Sequence, residues 1–110
     1  MRAAIAGLMA AGMLALAGPA LALDVGLKWQ DNSDNEDGFI VERRVGAGGY
    51  AELARTAANI SVFTDVNVPV GFVICYKVFA FNKVGTSGPS NEACISVFVP
   101  AAPTNLGGSF

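Results

Sequence analysis

Short segments of alternating polarity, separated by turn residues, constrain the fold of this chain most strongly. Residues 25–29 alternate apolar and other side chains with a period of two, which is the signature of a half-buried strand. Turn residues such as Gly38 and Gly71 separate this segment from others of the same kind. The others are residues 39–44, 50–56, 61–64, 72–81 and 90–99. Strands of this length and spacing predict an all-β sandwich or barrel.

The first 22 residues carry a different pattern. Arg2 gives a basic start, an apolar stretch rich in Ala and Leu follows, and Ala-Leu-Ala ends the segment at Ala22. This is typical of a secretory signal peptide, whose helix Pro19 would end just before the cleavage site. We therefore expect cleavage after about Ala22 and a secreted or periplasmic protein. An uncleaved membrane anchor is the alternative; otherwise we expect membrane contact only during export.

The remaining composition argues against several classes of function. Without Arg2 the chain keeps six basic residues against nine acidic ones, with no basic patch, so we expect no nucleic-acid partner. The chain has no His, so its Ser residues lack the usual general base. We therefore expect a protein that is not an enzyme, with no catalytic residue and no cofactor.

A polar, acidic loop precedes Gly38 and invites a calcium interpretation. An EF-hand loop needs Gly at its sixth position and a carboxylate at its twelfth, and that register puts Ser33 first and Arg44 last. A cation cannot replace the bidentate carboxylate, so we expect no metal and a solvated loop that caps its own backbone. The adjacent carboxyls of Glu36 and Asp37 are expected to be exposed, with no reason for a shifted pKa.

Cys75 and Cys94 are the two cysteines of the chain. An even number in an exported protein favours a disulfide over two free thiols, and a lone pair without His is a poor metal site. If the last two strands form a hairpin in which Cys75 faces Cys94, the same register puts Lys77 opposite Glu92. The parity of Cys75 with Lys77 places the bridge on the outer face of the sheet.

Several motifs, in order, resemble a bacterial fibronectin type III domain over about residues 25–97. They are residues 29–33, 36–43, 64–65, 76–87 and 89–92. The resemblance implies an immunoglobulin-like β-sandwich spanning residues 23–99, with strands B, C, C′, E, F and G. It also implies that Trp29 and Leu27 of strand B, together with Tyr76, Val78 and Ala80 of strand F, face the core.

Three positions depart from this pattern. After cleavage only Leu23 and Asp24 precede strand B, so strand A is expected to be missing. Ile74 stands where the family has a tyrosine that ties a corner to the backbone, so that hydrogen bond is expected to be absent. Phe79 stands where a charged residue is common.

The resemblance implies a non-catalytic module that binds a protein or a polysaccharide, or that acts as a spacer. Strand parity places a candidate binding face on the outer side of the C–F–G sheet, although single exposed apolar residues are also normal. Its residues are Ile40, Arg44, Lys77, Phe79 and Phe81.

The tail, residues 100–110, supports an alternative role in assembly. It resembles the linker and strand A that open a following domain, and Leu106 and Phe110 have the same parity. It would dock on strand B, either in its own chain or by exchange in a homodimer. A disordered tail is the other interpretation.

Overall fold

The computed structural model describes residues 5–16, 21–105 and 107–108. Within these residues seven strands form two antiparallel sheets, with the orders β1-β2-β5 and β4-β3-β6-β7. The strands are β1 (Ile5–Leu16), β2 (Leu21–Asp31), β3 (Gly38–Val45), β4 (Ala51–Ala57), β5 (Val62–Val68), β6 (Phe72–Phe81) and β7 (Ala93–Val97). This confirms the predicted all-β sandwich class. The described ranges contain no helix long and apolar enough to cross a membrane.

The core confirms the predicted inward residues. Val25, Leu27 and Trp29 of β2 are 0%, 2% and 3% exposed. Trp29 meets Phe39 of β3 edge to face, with ring centroids 5.5 Å apart, so the two sheets contact each other through aromatic rings. The inward residues of β6, all fully buried, are Ile74, Tyr76, Val78 and Ala80.

The last strand is shorter than predicted, beginning at Ala93 rather than at position 90. Serine side chains continue its pairing with β6. Ser90 donates its backbone N–H to the carbonyl of Val78 (2.8 Å), and its hydroxyl accepts from the N–H of Val78 (2.9 Å). Ser87 makes the same two contacts with Ala80, at 2.8 and 2.9 Å. The backbone of β6 is thus satisfied without a regular strand beside it.

The edge of β2 that was predicted to be empty carries β1 in the full chain. β1 runs antiparallel to β2, with a bulge beside Gly7, whose φ is +69°. The expectation of a helix in this segment is therefore wrong for the full chain, where residues 5–16 form a strand. The expectation of a missing strand A concerns the chain cleaved after Ala22 and stays a prediction. An apolar segment can satisfy its backbone groups by pairing with a free strand edge as well as by forming a helix. Because β1 lies within residues 1–22, cleavage after Ala22 would remove it.

The described residues of the tail, 100–105 and 107–108, do not lie on β2, whose edge β1 occupies. They contain no strand and are exposed. Leu106 and Phe110, the residues predicted to face the core, lie outside the described residues, as do residues 17–20 beside the predicted cleavage site.

Candidate binding face

The disulfide anchors one end of the candidate face. Cys75 of β6 lies opposite Cys94 of β7 in the ladder, and the two are bonded, which confirms both the predicted bridge and its register. Cys75 is on the outer side of its sheet but only 1% exposed. The guanidinium of Arg44 helps to cover it, with Nη2 3.4 Å from Sγ of Cys75.

The predicted pair between Lys77 and Glu92 is replaced by other partners. The regular ladder between β6 and β7 ends at Ala93, so Glu92 is no longer held opposite β6. Its carboxylate instead accepts a hydrogen bond from the hydroxyl of Tyr50 and lies 3.7 Å from Nη2 of Arg44.

The five predicted face residues lie on the outer side of the four-stranded sheet. Ile40 of β3 is directly opposite Phe79 of β6, and Phe81, Lys77 and Arg44 have the same parity along these strands. All five side chains are half-buried rather than fully exposed. We call this surface, together with the β4 side chain Arg55 and the adjacent Tyr50, the outer face.

At one end of the outer face an arginine covers an aromatic ring. The guanidinium carbon of Arg55 lies 5.0 Å from the centroid of Phe81, and Nη2 of Arg55 lies 3.0 Å from Glu52. Gly38 lies beneath the ring, where a Cβ would come within 3.0 Å of Phe81. The glycine thus leaves room for the ring beside the sheet, and the guanidinium of Arg55 lies over that ring.

At the other end two cations contact one tyrosine. Nζ of Lys77 lies 4.0 Å from the ring centroid of Tyr50, and the guanidinium carbon of Arg44 lies 5.3 Å from it. Burial, and then the hydrogen bond to the Glu92 carboxylate, raises the pKa of Tyr50 to about 12. The prediction missed Tyr50, because no strand parity extends through the turn that precedes β4.

A buried polar network lies behind the outer face, between the sheets. The hydroxyl of Tyr76 donates to Asp65 Oδ2 at 2.8 Å, and Nη1 of Arg43 lies 3.2 and 3.0 Å from the two oxygens of Asp65. Burial, followed by this hydrogen bond, raises the pKa of Tyr76 far above its usual range. At position 74, where fibronectin type III domains have a corner tyrosine, this chain has Ile74. A different tyrosine, Tyr76, makes a buried hydrogen bond, and that bond joins β6 to β5.

The acidic loop caps itself, as predicted, but Glu36 is not exposed. Glu36 is 7% exposed and accepts hydrogen bonds from the Ser33 hydroxyl (2.6 Å) and from the backbone N–H of Asn59 (3.2 Å). Burial alone would raise the pKa of Glu36, but these hydrogen bonds outweigh it and hold that pKa below its usual range. Burial and the neighbouring Glu36 raise the pKa of Asp31, whose carboxylate accepts from the N–H of Ser33 (2.9 Å). The expectation of an unshifted carboxyl at position 36 is therefore wrong.

One cluster in the described part of the chain has the spacing of a metal site. Ligand atoms of Cys75, Glu92 and Cys94 lie within 4.8 Å of one another. The two sulfurs are bonded to each other, however, so neither is the thiolate that a metal would need.

No protein-family model and no curated protein sequence matches this chain. Its fold, in contrast, is similar to parts of solved structures. A structure of titin kinase and its flanking domains superposes with a TM-score of 0.62 and 21% identity, over 81% of this chain and 16% of that one. The kinase region of twitchin from C. elegans superposes with a TM-score of 0.59 and 21% identity, over 67% and 14%. The twitchin region includes the domains Fn31 and Ig26, and the titin structure includes the domains that flank its kinase.

A bacterial enzyme contains a similar unit. The β-1,2-glucanase from Parabacteroides distasonis has a TM-score of 0.59 and 19% identity, over 90% of this chain and 14% of that one. In all three structures the chain spans less than a fifth of the neighbour's length. At these identities the likeness is one of fold, and the chain has the β-sandwich fold found in immunoglobulin-like and fibronectin type III-containing proteins.

Proposed function

We propose that this chain is an exported, non-catalytic fibronectin type III-like module that binds a protein or a polysaccharide through its outer face. The observation that carries the proposal is the pairing of cations with aromatic rings at both ends of that face. Arg55 lies over Phe81 at one end, and Lys77 and Arg44 lie over Tyr50 at the other. Apolar residues gathered on one sheet face can mark an interaction site.

The side chains of the outer face suit a ligand that is partly apolar and partly polar. Ile40 and Phe79 form a cross-strand pair at its centre, and both side chains are half-buried. They present apolar area to a ligand, and binding would cost little side-chain entropy because neighbouring residues already restrict them. Arginine and tyrosine, which flank them, are the residue types most enriched at the energetic centres of interfaces.

The strand framework supports such a role. The face is built on paired strands rather than on loops, and the Cys75–Cys94 bridge joins β6 to β7 beside it. The disulfide is compatible with an extracellular location. The motifs that resemble bacterial fibronectin type III domains and the signal-peptide pattern of residues 1–22 support the same assignment.

A retention experiment tests the proposal. Insoluble β-glucan, pectate, peptidoglycan and an extract of cell-envelope proteins serve as probes, the first because a structural neighbour is a β-1,2-glucanase. The wild-type protein should be retained by at least one probe, and Phe79→Ser should weaken that retention at least tenfold. Val66→Ser is the matched control, because Val66 is 58% exposed on β5, in the other sheet.

Both variants must first melt as the wild type does. Equal retention of Phe79→Ser and the wild-type protein would show that the outer face is not the binding site. No retention by any probe would refute the binding role and favour the spacer role.

A further inference from the structure

We propose that, in the chain cleaved after Ala22, the tail of a second copy takes the place of β1 on β2. The inference rests on the export that we propose above, because cleavage is what removes β1. It goes further by naming the occupant of the vacated edge and the residues that hold it.

The position that β1 occupies is a specific receptor for a strand. The side chain of Asn91 reaches across from the start of β7, and its Oδ1 accepts from the backbone N–H of Leu8 at 2.8 Å. Its Nδ2 donates to the carbonyl of Leu8 at 3.3 Å. The side chain of Leu8 is 4% exposed and belongs to the core. Asn91 therefore binds the backbone of the strand residue at the Leu8 position. Because the side chain at that position enters the core, it must be apolar.

Cleavage would leave this receptor empty. β2 would keep β5 on one side and lose β1 on the other, along the ladder from Leu23 to Asp31. The amide of Asn91 would lose both contacts to Leu8, and the core would lose the Leu8 side chain. An unpaired edge of this length recruits another strand, and a buried cavity at its end selects a strand with an apolar residue.

The tail repeats the local pattern that fits this position. Gly7, at the bulge before Leu8, has a φ of +69°, and Asn105, directly before Leu106, has a φ of +56°. Asparagine is among the few residues other than glycine that adopt this left-handed conformation readily. The tail thus offers a leucine preceded by the same kind of backbone turn.

The register of β1 supports the match. Trp29 and Val25 of β2 both face the core. In the ladder they are paired with Leu8 and Gly12 of β1, respectively. If Leu106 takes the place of Leu8, Phe110 falls opposite Val25. The two large apolar residues of the tail would then lie opposite two buried positions of β2.

The route of the chain favours a second copy over the same chain. Asn91 precedes β7, whereas the tail leaves β7 at its other end, after Val97. To reach its own receptor, the tail would have to return along β7 for about 20 Å and then reverse direction. Residues 98–105 span at most about 28 Å when fully extended, which leaves little length for that reversal. A neighbouring copy imposes no such constraint, and reciprocal exchange between two copies closes a dimer.

The full chain, expressed with export to the periplasm of a bacterial host, provides the test. Intact mass gives the N-terminus of the purified product, and light scattering over a concentration series gives its association. The product should begin at Leu23 and form dimers. Leu106→Asp should be monomeric, whereas Val99→Asp, which adds the same charge at an exposed position just before the tail, should associate as the wild type does.

Asn91→Ala keeps the tail intact and tests the receptor alone. In a reciprocal dimer this substitution removes two hydrogen bonds at each of the two receptors, so it should raise the dimer dissociation constant by more than about tenfold. This measurement also decides the matter if Leu106→Asp does not fold, because unchanged association of Asn91→Ala would overturn the proposal. A product that begins at Leu23 and stays monomeric overturns strand exchange and leaves export intact. A product that retains residues 1–22 overturns both, since β1 then keeps its place.

Discussion

The hydroxyl of Tyr76 donates a 2.8 Å hydrogen bond to Asp65 across the core of the sandwich. Asp65 is 4% exposed, and its second partner is the guanidinium of Arg43. A carboxylate this far from water depends on such partners, because an unpaired buried charge is strongly destabilising. The network joins β5 in one sheet to β3 and β6 in the other, and it orders the interior behind the outer face.

The first prediction concerns this network. Tyr76→Phe should lower the free energy of unfolding by about 1–3 kcal/mol, because a buried acceptor on Asp65 loses its donor. Tyr50→Phe is the matched control, since it removes a hydroxyl from a surface contact and should change stability by less than about 0.5 kcal/mol. Urea denaturation gives both values, and equal effects would contradict the structural role of Tyr76.

Alkaline pH should weaken the fold. Burial and Asp65 raise the pKa of Tyr76 in the folded protein, so folding favours its neutral form. The stability from this group is complete below the unfolded pKa, about 10, and is lost as the pH rises above it. The pKa of Tyr50 is also raised, to about 12, so this group likewise lowers the free energy of unfolding as the pH rises above about 10. Urea midpoints from pH 8 to 11 should therefore fall less in Tyr76→Phe than in wild type, and identical profiles would refute this.

Removal of the disulfide should be costly. The bridge closes a loop with a sequence separation of 19 residues, and Cys94→Ala should lower the free energy of unfolding by about 2–5 kcal/mol. Thermal unfolding of the variant should resemble that of the reduced wild-type protein. A variant as stable as the oxidised protein would show that the bridge contributes nothing.

Trp29 should be the most sensitive core position. Trp29→Ala should cost about 3–5 kcal/mol and unfold a large fraction of so small a domain. Trp29→Phe retains an aromatic ring against Phe39 and should cost less. Native fluorescence of the wild-type protein should be shifted to the blue of indole in water, and an emission like that of free indole would place Trp29 outside the core.

The alternation of polarity along the sequence was enough to predict most of the strands and their buried faces. The period of two identified β2 and the burial of Trp29, and the hairpin register paired Cys75 with Cys94. The contact between Asp65 and Tyr76 was missed, because it depends on how two sheets stack rather than on spacing along the chain. The strand β1 was missed because its Ala-rich apolar sequence suits a signal helix as well as a sheet edge.

For the outer face, too, contacts within predicted strands were predicted and contacts between separate segments were missed. Parity placed Ile40 and Phe79 on one side of the sheet, where the structure has them as a cross-strand pair. Tyr50 was missed, because a turn separates it from the strands whose parity could be counted. The cover of Arg55 over Phe81 depends on the pairing of β3 with β4, which no single segment encodes.

Export, cleavage after Ala22 and formation of the Cys75–Cys94 bridge underlie both the proposed function and the proposed dimer. The intact mass of the exported product, after alkylation under denaturing, non-reducing conditions, tests them together. We predict a chain that begins at Leu23 and carries no alkyl group on Cys75 or Cys94. A product that retains residues 1–22, or one alkylated at both cysteines, would contradict it.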